Sequence, residues 1–77
     1  MAEQSAAAER VEFIAKAIVS DVAAVKVHEP ESDLLELETS ADDRGRVIGR
    51  QGRVAKAMRV VLAASAAGAD HRLEIVD

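Results

Sequence analysis

Gly49 and Gly52 stand three residues apart in the stretch Arg46-Val47-Ile48-Gly49-Arg50-Gln51-Gly52-Arg53-Val54, and the residue types around them suit the holding of an anion. Glycine adopts backbone conformations that are costly for residues with a Cβ and leaves the peptide unscreened, so a phosphate can reach the main chain. The turn feeds into a predicted helix, whose first N–H groups lack intrahelical partners and carry partial positive charge. Arg50 lies inside the turn, Arg46 precedes it, and Arg53 and Lys56 follow it, so full charges join the partial ones. Val47 and Ile48 before the turn and Val54 after it offer an aliphatic surface beside the phosphate track, against which bases can lie. Glycines also break helices where no ligand binds, and it is the surrounding arginines that favour the anion. Gly45 is read differently: inside a short helix a glycine costs about 1 kcal/mol against alanine, which points to close packing or a local distortion rather than to a ligand.

Spacing narrows the kind of anion. The glycines do not form G-x-G-x-x-G, and none is followed by Lys and then Ser or Thr, so dinucleotide and P-loop chemistry are excluded and a polymer backbone is the better match. No cofactor and no small-molecule substrate is expected. The formal net charge of −4 argues by itself against a polyanion, but the charge is segregated: from Arg44 to Arg59 there are six bases and no acid, while the rest of the chain holds four bases against fourteen acids. A basic patch on an acidic body attracts phosphate at short range while the body repels other polyanions beyond a Debye length of about 8 Å. The plain alternative is a solvated helix face. With no cysteine there is no thiolate nucleophile, zinc-thiolate site or disulfide, which suits a reducing compartment, the cytoplasm. No nucleophile has a positioned base, so no enzyme is expected. His28, beside Glu29, Glu31 and Asp33, reads as part of a solvated acidic turn rather than a metal site.

The elements that must position the turn follow from hydrophobic periodicity. Ala7, Val11, Ile14, Ala15 and Ile18 recur at helical spacing over Ala6 to Val19, with Ser5 able to cap the start and a break near Ser20 and Asp21. Ala24 to His28 alternates as a strand with Val25 and Val27 inward; Glu29 to Asp33 holds the only proline and is expected to connect it to a second strand, in which Leu35, Leu37 and Thr39 alternate with Glu36 and Glu38. Ser40 and Asp43 match a capping box, so a short helix is predicted from Ala41 to the glycine turn. A longer helix of about four turns follows, with Val54, Ala57, Met58, Val61, Leu62 and Ser65 on one face and Gly68 able to end it. Arg72 to Asp77, with Leu73 and Ile75 alternating, closes the chain as a strand. Seventy-seven residues make one small α+β domain, residues 1–77, ordered helix, strand, strand, helix, helix, strand. The helical crossover makes the last two strands parallel, so the three-stranded sheet is mixed and covered on one face. No apolar run approaches the roughly 20 residues of a membrane span, and the acidic N-terminus is unlike a signal peptide.

Val47-Ile48-Gly49-Arg50-Gln51-Gly52, with a long helix and a strand behind it, resembles the Val-Ile-Gly-x-x-Gly core of the KH domain. The extra helix and strand ahead of that core are similar to the type II arrangement. At this length the chain resembles the stand-alone bacterial KH proteins of the KhpA kind, over nearly all its residues and most specifically from Asp42 to Arg59. The resemblance implies single-stranded RNA held in a groove, with Gly49, Arg50, Gln51 and Gly52 clamping about four backbone nucleotides and Val47, Ile48 and Val54 in the groove wall. It also implies a small cytoplasmic RNA-binding or chaperoning protein that self-associates and pairs with a larger KH-domain protein of the KhpB kind. Single-stranded DNA stays open as an alternative, because little in the sequence reports on the 2′-OH.

A second apolar stripe, Val60, Ala63, Ala64 and Ala67, lies on the long helix, and one sheet cannot cover both faces. Alanines sit harmlessly in solvent, but the only aromatic residue is Phe13, so the core lacks large anchors and burying this stripe against another subunit adds apolar area. The stripe is therefore the candidate dimer interface, and a protein-interaction module is the rival function. Without Trp or Tyr to stack bases, affinity is expected to rest on phosphate contacts.

Overall fold

The computed structural model describes residues 5–65 and 71–76. Helix α1, Ala6–Ile18, starts where Ser5 Oγ accepts the Ala8 N–H at 3.1 Å, and Lys16 meets Glu12 one turn earlier at 2.6 Å. Its buried face is Ala7, Ala8, Val11 and Ala15, mostly small side chains that let the helix approach the sheet closely. Phe13 points the other way, 77% exposed, so the one aromatic ring is not in the core at all.

A 3-10 turn, Val22–Ala24, delays the first strand. Strand β1 runs Lys26–Glu31 and pairs antiparallel with β2, Leu34–Glu38, matching Val27 with Leu37 and His28 with Glu36. The expected connection from Glu29 to Asp33 is thus mostly strand, and only Ser32 and Asp33 turn. Pro30 is tolerated because β1 is at the sheet edge and the register slips between His28 and Glu31, where a missing N–H breaks no regular ladder. His28 Nε2 lies 3.0 Å from Glu38 Oε1 across the pair, not among the acids that follow it in sequence. Strand β3, Arg72–Val76, lies parallel to β2 with Leu35 opposite Leu73 and Leu37 opposite Ile75, giving the order β1-β2-β3 and the mixed sheet expected.

Helices α2, Ala41–Ile48, and α3, Arg53–Ala64, make the crossover between β2 and β3. Leu35, Leu37, Val11 and Val47 are the largest side chains wholly removed from water, joined by Met58, Leu62 and Leu73. The inward face of α3 is Ala55, Met58 and Leu62, whereas Ala57 and Val61, expected inward, are exposed. Arg59 accounts for part of this rotation, since its Nε donates to the Leu73 carbonyl at 3.0 Å and pins α3 to β3 along one line. The helix ends at Ala64, with Ser65 in extended backbone, rather than continuing to Gly68. Gly68 and Ala67, like Asp77, lie outside the described residues. No helix among the described residues is long and apolar enough to cross a membrane.

Candidate nucleic-acid interface

Helix α2 delivers the chain to the glycine turn, and its N-terminus is held by a carboxylate. Ser40 caps the helix by accepting the Asp43 N–H at 3.3 Å, and its hydroxyl donates to Asp43 Oδ2 at 3.0 Å. The same carboxylate reaches across the fold: Oδ1 accepts the Ser20 N–H and Oδ2 the Asp21 N–H, both at 3.0 Å. Asp43 is only 2% exposed. The Asp21 N–H, then the Ser20 N–H, hold its carboxyl below the usual carboxylate range; burial opposes them, and the Ser40 hydroxyl and Arg46 charge assist. The capping box was visible in the sequence as Ser40 and Asp43, but the long-range use of the carboxylate was not.

At the other end, Ile48 closes α2 and the Gly49 N–H donates to the Gly45 carbonyl at 2.8 Å. The backbone then turns left-handed, with φ +78° at Gly49, +57° at Gln51 and +73° at Gly52, and the Gly52 N–H returns to the Gly49 carbonyl at 3.1 Å. Gln51 is the only non-glycine residue described with positive φ, and its Oε1 accepts from Arg53 Nη2 at 3.3 Å. The two glycines do different work. A Cβ at Gly49 runs into Val54 Cγ2 and lies 2.8 Å from the Val54 Cβ and backbone nitrogen, so this position is bare because the turn folds tightly on α3. A Cβ at Gly52 meets nothing within 4 Å, so there the backbone is open to the outside. Gly45 also has nothing within 4 Å and no left-handed backbone, which overturns the expectation of close packing; nothing in the structure explains the glycine there.

Among the α-helices of the described residues, α3 starts without a side-chain cap: Ser5 serves α1 and Ser40 serves α2, while Gly52 has no side chain to offer. The described cations around this opening sort by their partners. Arg50 and Lys56 are exposed and show no hydrogen bond or ion pair among the described residues, and Arg53 bonds only to Gln51. Arg46, expected beside them, is turned back to Ser20 Oγ at 2.5 Å and stands 3.8 Å from Asp43 Oδ1. Arg59 is spent on the Leu73 carbonyl. Val47, expected in the groove wall, is completely buried in the core and presents no surface; Ile48, 38% exposed, and half-buried Val54 remain for that role.

The exposed apolar surface extends beyond the expected stripe on α3. Val60 is 60% exposed and Ala63 and Ala64 are exposed, but Val61, 50% exposed, and Phe13 are exposed as well. Phe13, Ile14, Ala6 and Val61, with Glu9 and Arg10, line an open groove of about 340 Å³ along α1. Its signal in the sequence was that Phe13 falls off the Ala7-Val11-Ile14-Ile18 stripe.

Comparison with known proteins places these features in a lineage. The model of the KhpA/KhpB KH-domain family matches residues 8–76. The RNA-binding protein KhpA of Clostridium perfringens is 51% identical over 61 residues, covering 75% of this chain and 81% of that protein. Its counterpart named RNA-binding protein KhpA in Borreliella burgdorferi is 45% identical over 74 residues, 90% of each chain, and that of Leifsonia xyli subsp. xyli is 44% identical over 57 residues, 74% of this chain and 75% of its own. No solved structure matches.

Proposed function

The chain belongs to the KhpA/KhpB KH-domain family, and from that premise we propose that it binds single-stranded RNA without catalysis, as a post-transcriptional regulator or RNA chaperone, gripping the sugar-phosphate backbone at Gly49-Arg50-Gln51-Gly52. The observation that carries this reading is the uncapped start of α3, left open at Gly52 and ringed by Arg50, Arg53 and Lys56. The Arg53 N–H already donates to the Arg50 carbonyl, so it is the next N–H groups of α3, together with the exposed cations on the rim, that favour a phosphate, and the relatives, named as RNA-binding proteins, point to the polymer. Ile48 and Val54 give bases an aliphatic floor, which selects weakly. A chain without cysteine that handles RNA suits the reducing cytoplasm.

The test is a titration with a labelled single-stranded oligoribonucleotide at several salt concentrations. Three cations neutralising phosphates of a single strand give a slope of log K against log salt of about −2. Affinity indifferent to salt, or amide signals of residues 49–56 unmoved by RNA, removes the reading. DNA of the same sequence, run in competition, separates RNA from single-stranded DNA.

The exposed Phe13 favours a second role beside the first: association with another KH-domain chain, either a second copy or a larger partner of the KhpB kind, through α1 and α3. A ring 77% exposed, lining one groove with Val61, is apolar area that this small core does not use. Sedimentation of the chain over a concentration series reads self-association. Phe13→Asp is expected to weaken it by at least about tenfold, as loss of an aromatic anchor does, with helix content unchanged. Equal association constants for the two proteins dispose of the surface.

A further inference from the structure

We propose that Asp43 is a positioning residue for the glycine turn, setting the direction in which α2 delivers Gly49 by tying the start of that helix to the α1–β1 junction. The proposal rests on the RNA reading above for its functional consequence, though not for its structural one. Helix α2 has eight residues, about two turns, too short to hold its own orientation in water. It is fixed at two points. Val47, wholly buried, anchors the end near the turn. At the start, both oxygens of Asp43 are engaged: the backbone N–H groups of Ser20 and Asp21 donate from 23 and 22 residues earlier in the chain, and Ser40 O–H donates from the cap. Arg46, one turn further along α2, bonds Ser20 Oγ from the same side and stands beside the carboxylate. Two carboxylate oxygens that each receive a main-chain N–H fix an angle as well as a distance, which one contact cannot do. With that end released, α2 pivots about Val47, and Ile48 and Gly49, just beyond that anchor, change direction with the helix axis.

This assigns Arg46 to the junction rather than to phosphate, and it predicts an effect opposite in sign to simple charge. Asp43→Asn removes a negative charge, which by long-range attraction alone tightens binding to a polyanion. Positioning predicts weaker binding, because asparagine keeps one acceptor oxygen and sets its NH2 against the second N–H.

The experiment compares the wild-type protein, Asp43→Asn, and Val11→Ala, a core change on α1 that leaves Ser20, Asp21 and Asp43 in place. Amide exchange of residues 49–53 without RNA, and affinity for a single-stranded oligoribonucleotide across a salt series, are measured at a temperature where all three are folded. In Asp43→Asn the turn amides exchange faster and affinity falls about tenfold with an unchanged salt slope, a coupling of the size expected for residues that act through another group. Val11→Ala, although destabilised, shows neither change. The proposal is overturned if Asp43→Asn keeps wild-type exchange at 49–53, or if it binds RNA as tightly as wild type or tighter. Should the wild-type protein bind no RNA, the functional reading falls, and the RNA-free exchange still decides the role of Asp43. Should Asp43→Asn not fold, Asp21→Pro takes its place, since proline removes the N–H that Oδ2 accepts and leaves the Ser40 cap in place. Faster exchange at 49–53 in that variant supports the pivot, and wild-type exchange overturns it.

Discussion

Gly52→Asp is expected to weaken single-stranded RNA binding by about 250-fold, the effect of one negative charge set roughly 5 Å from a phosphate at an effective dielectric near 20. The fold should survive. A side chain at position 52 enters open space, so its cost is the left-handed backbone alone, about 1–2 kcal/mol for a residue with a Cβ. The new carboxylate then stands at the uncapped start of α3, where the N–H groups and helix charge that would receive a phosphate are neutralised by the protein itself. Circular dichroism and a thermal melt establish that the variant is folded, and an RNA titration reads the loss. A folded Gly52→Asp protein with affinity within about threefold of wild type, well short of what a charge at that distance does, would mean that the strand does not pass this opening.

Gly49→Ala is expected to lose about 3 kcal/mol of stability, combining left-handed backbone with overpacking. Here the obstruction is Val54: its Cγ2, and its Cβ and main-chain nitrogen at 2.8 Å, occupy the place of the new methyl group. Backbone atoms cannot rotate away as a flexible side chain can, so either the turn opens or the start of α3 shifts. For a chain of this length the thermal midpoint should drop by roughly 15 °C. Gly52→Ala, in ordinary left-handed helical backbone (φ +73°, ψ +14°) rather than the extended positive-φ backbone of Gly49 (φ +78°, ψ +171°) and without the collision, should drop by about half as much. If the two alanine variants melt together, the contact with Val54 is not what keeps position 49 bare. This difference also decides which glycine reports on RNA: a charge at Gly49 disturbs the turn before any ligand arrives, so loss of binding there is ambiguous, whereas loss at Gly52 is not.

Much of the fold was legible because its signals are local. The period of Ala7, Val11 and Ala15, the Ser5 and Ser40 caps, and the alternation of Leu35 and Leu37 each depend on residues a few places apart, and each element formed where expected. The parallel pairing of β2 and β3 followed from the helical crossover between them. The boundaries that moved depend on neighbours distant in sequence. Pro30 sits in a strand that lies at the edge of the sheet and slips register beside it, and the inward face of α3 is rotated with Arg59 bonded to a carbonyl on β3.

For the candidate site, the residue types and spacing of Arg46 to Lys56 by themselves determined that bare main chain, a helix start and cations come together, because all three lie within three turns of one another along the chain. Only the tertiary structure decided which of them face outward. Val47 and Val54 are the same residue type on either side of the turn, yet one is sealed in the core and the other lies against Gly49. Arg46 and Arg50 are the same cation four places apart, yet one is bound to Ser20, 26 residues earlier, while the other stands at the opening. Charge and apolarity are properties of a residue, but exposure and pairing belong to what the rest of the chain packs against it, and a linear pattern carries no term for that.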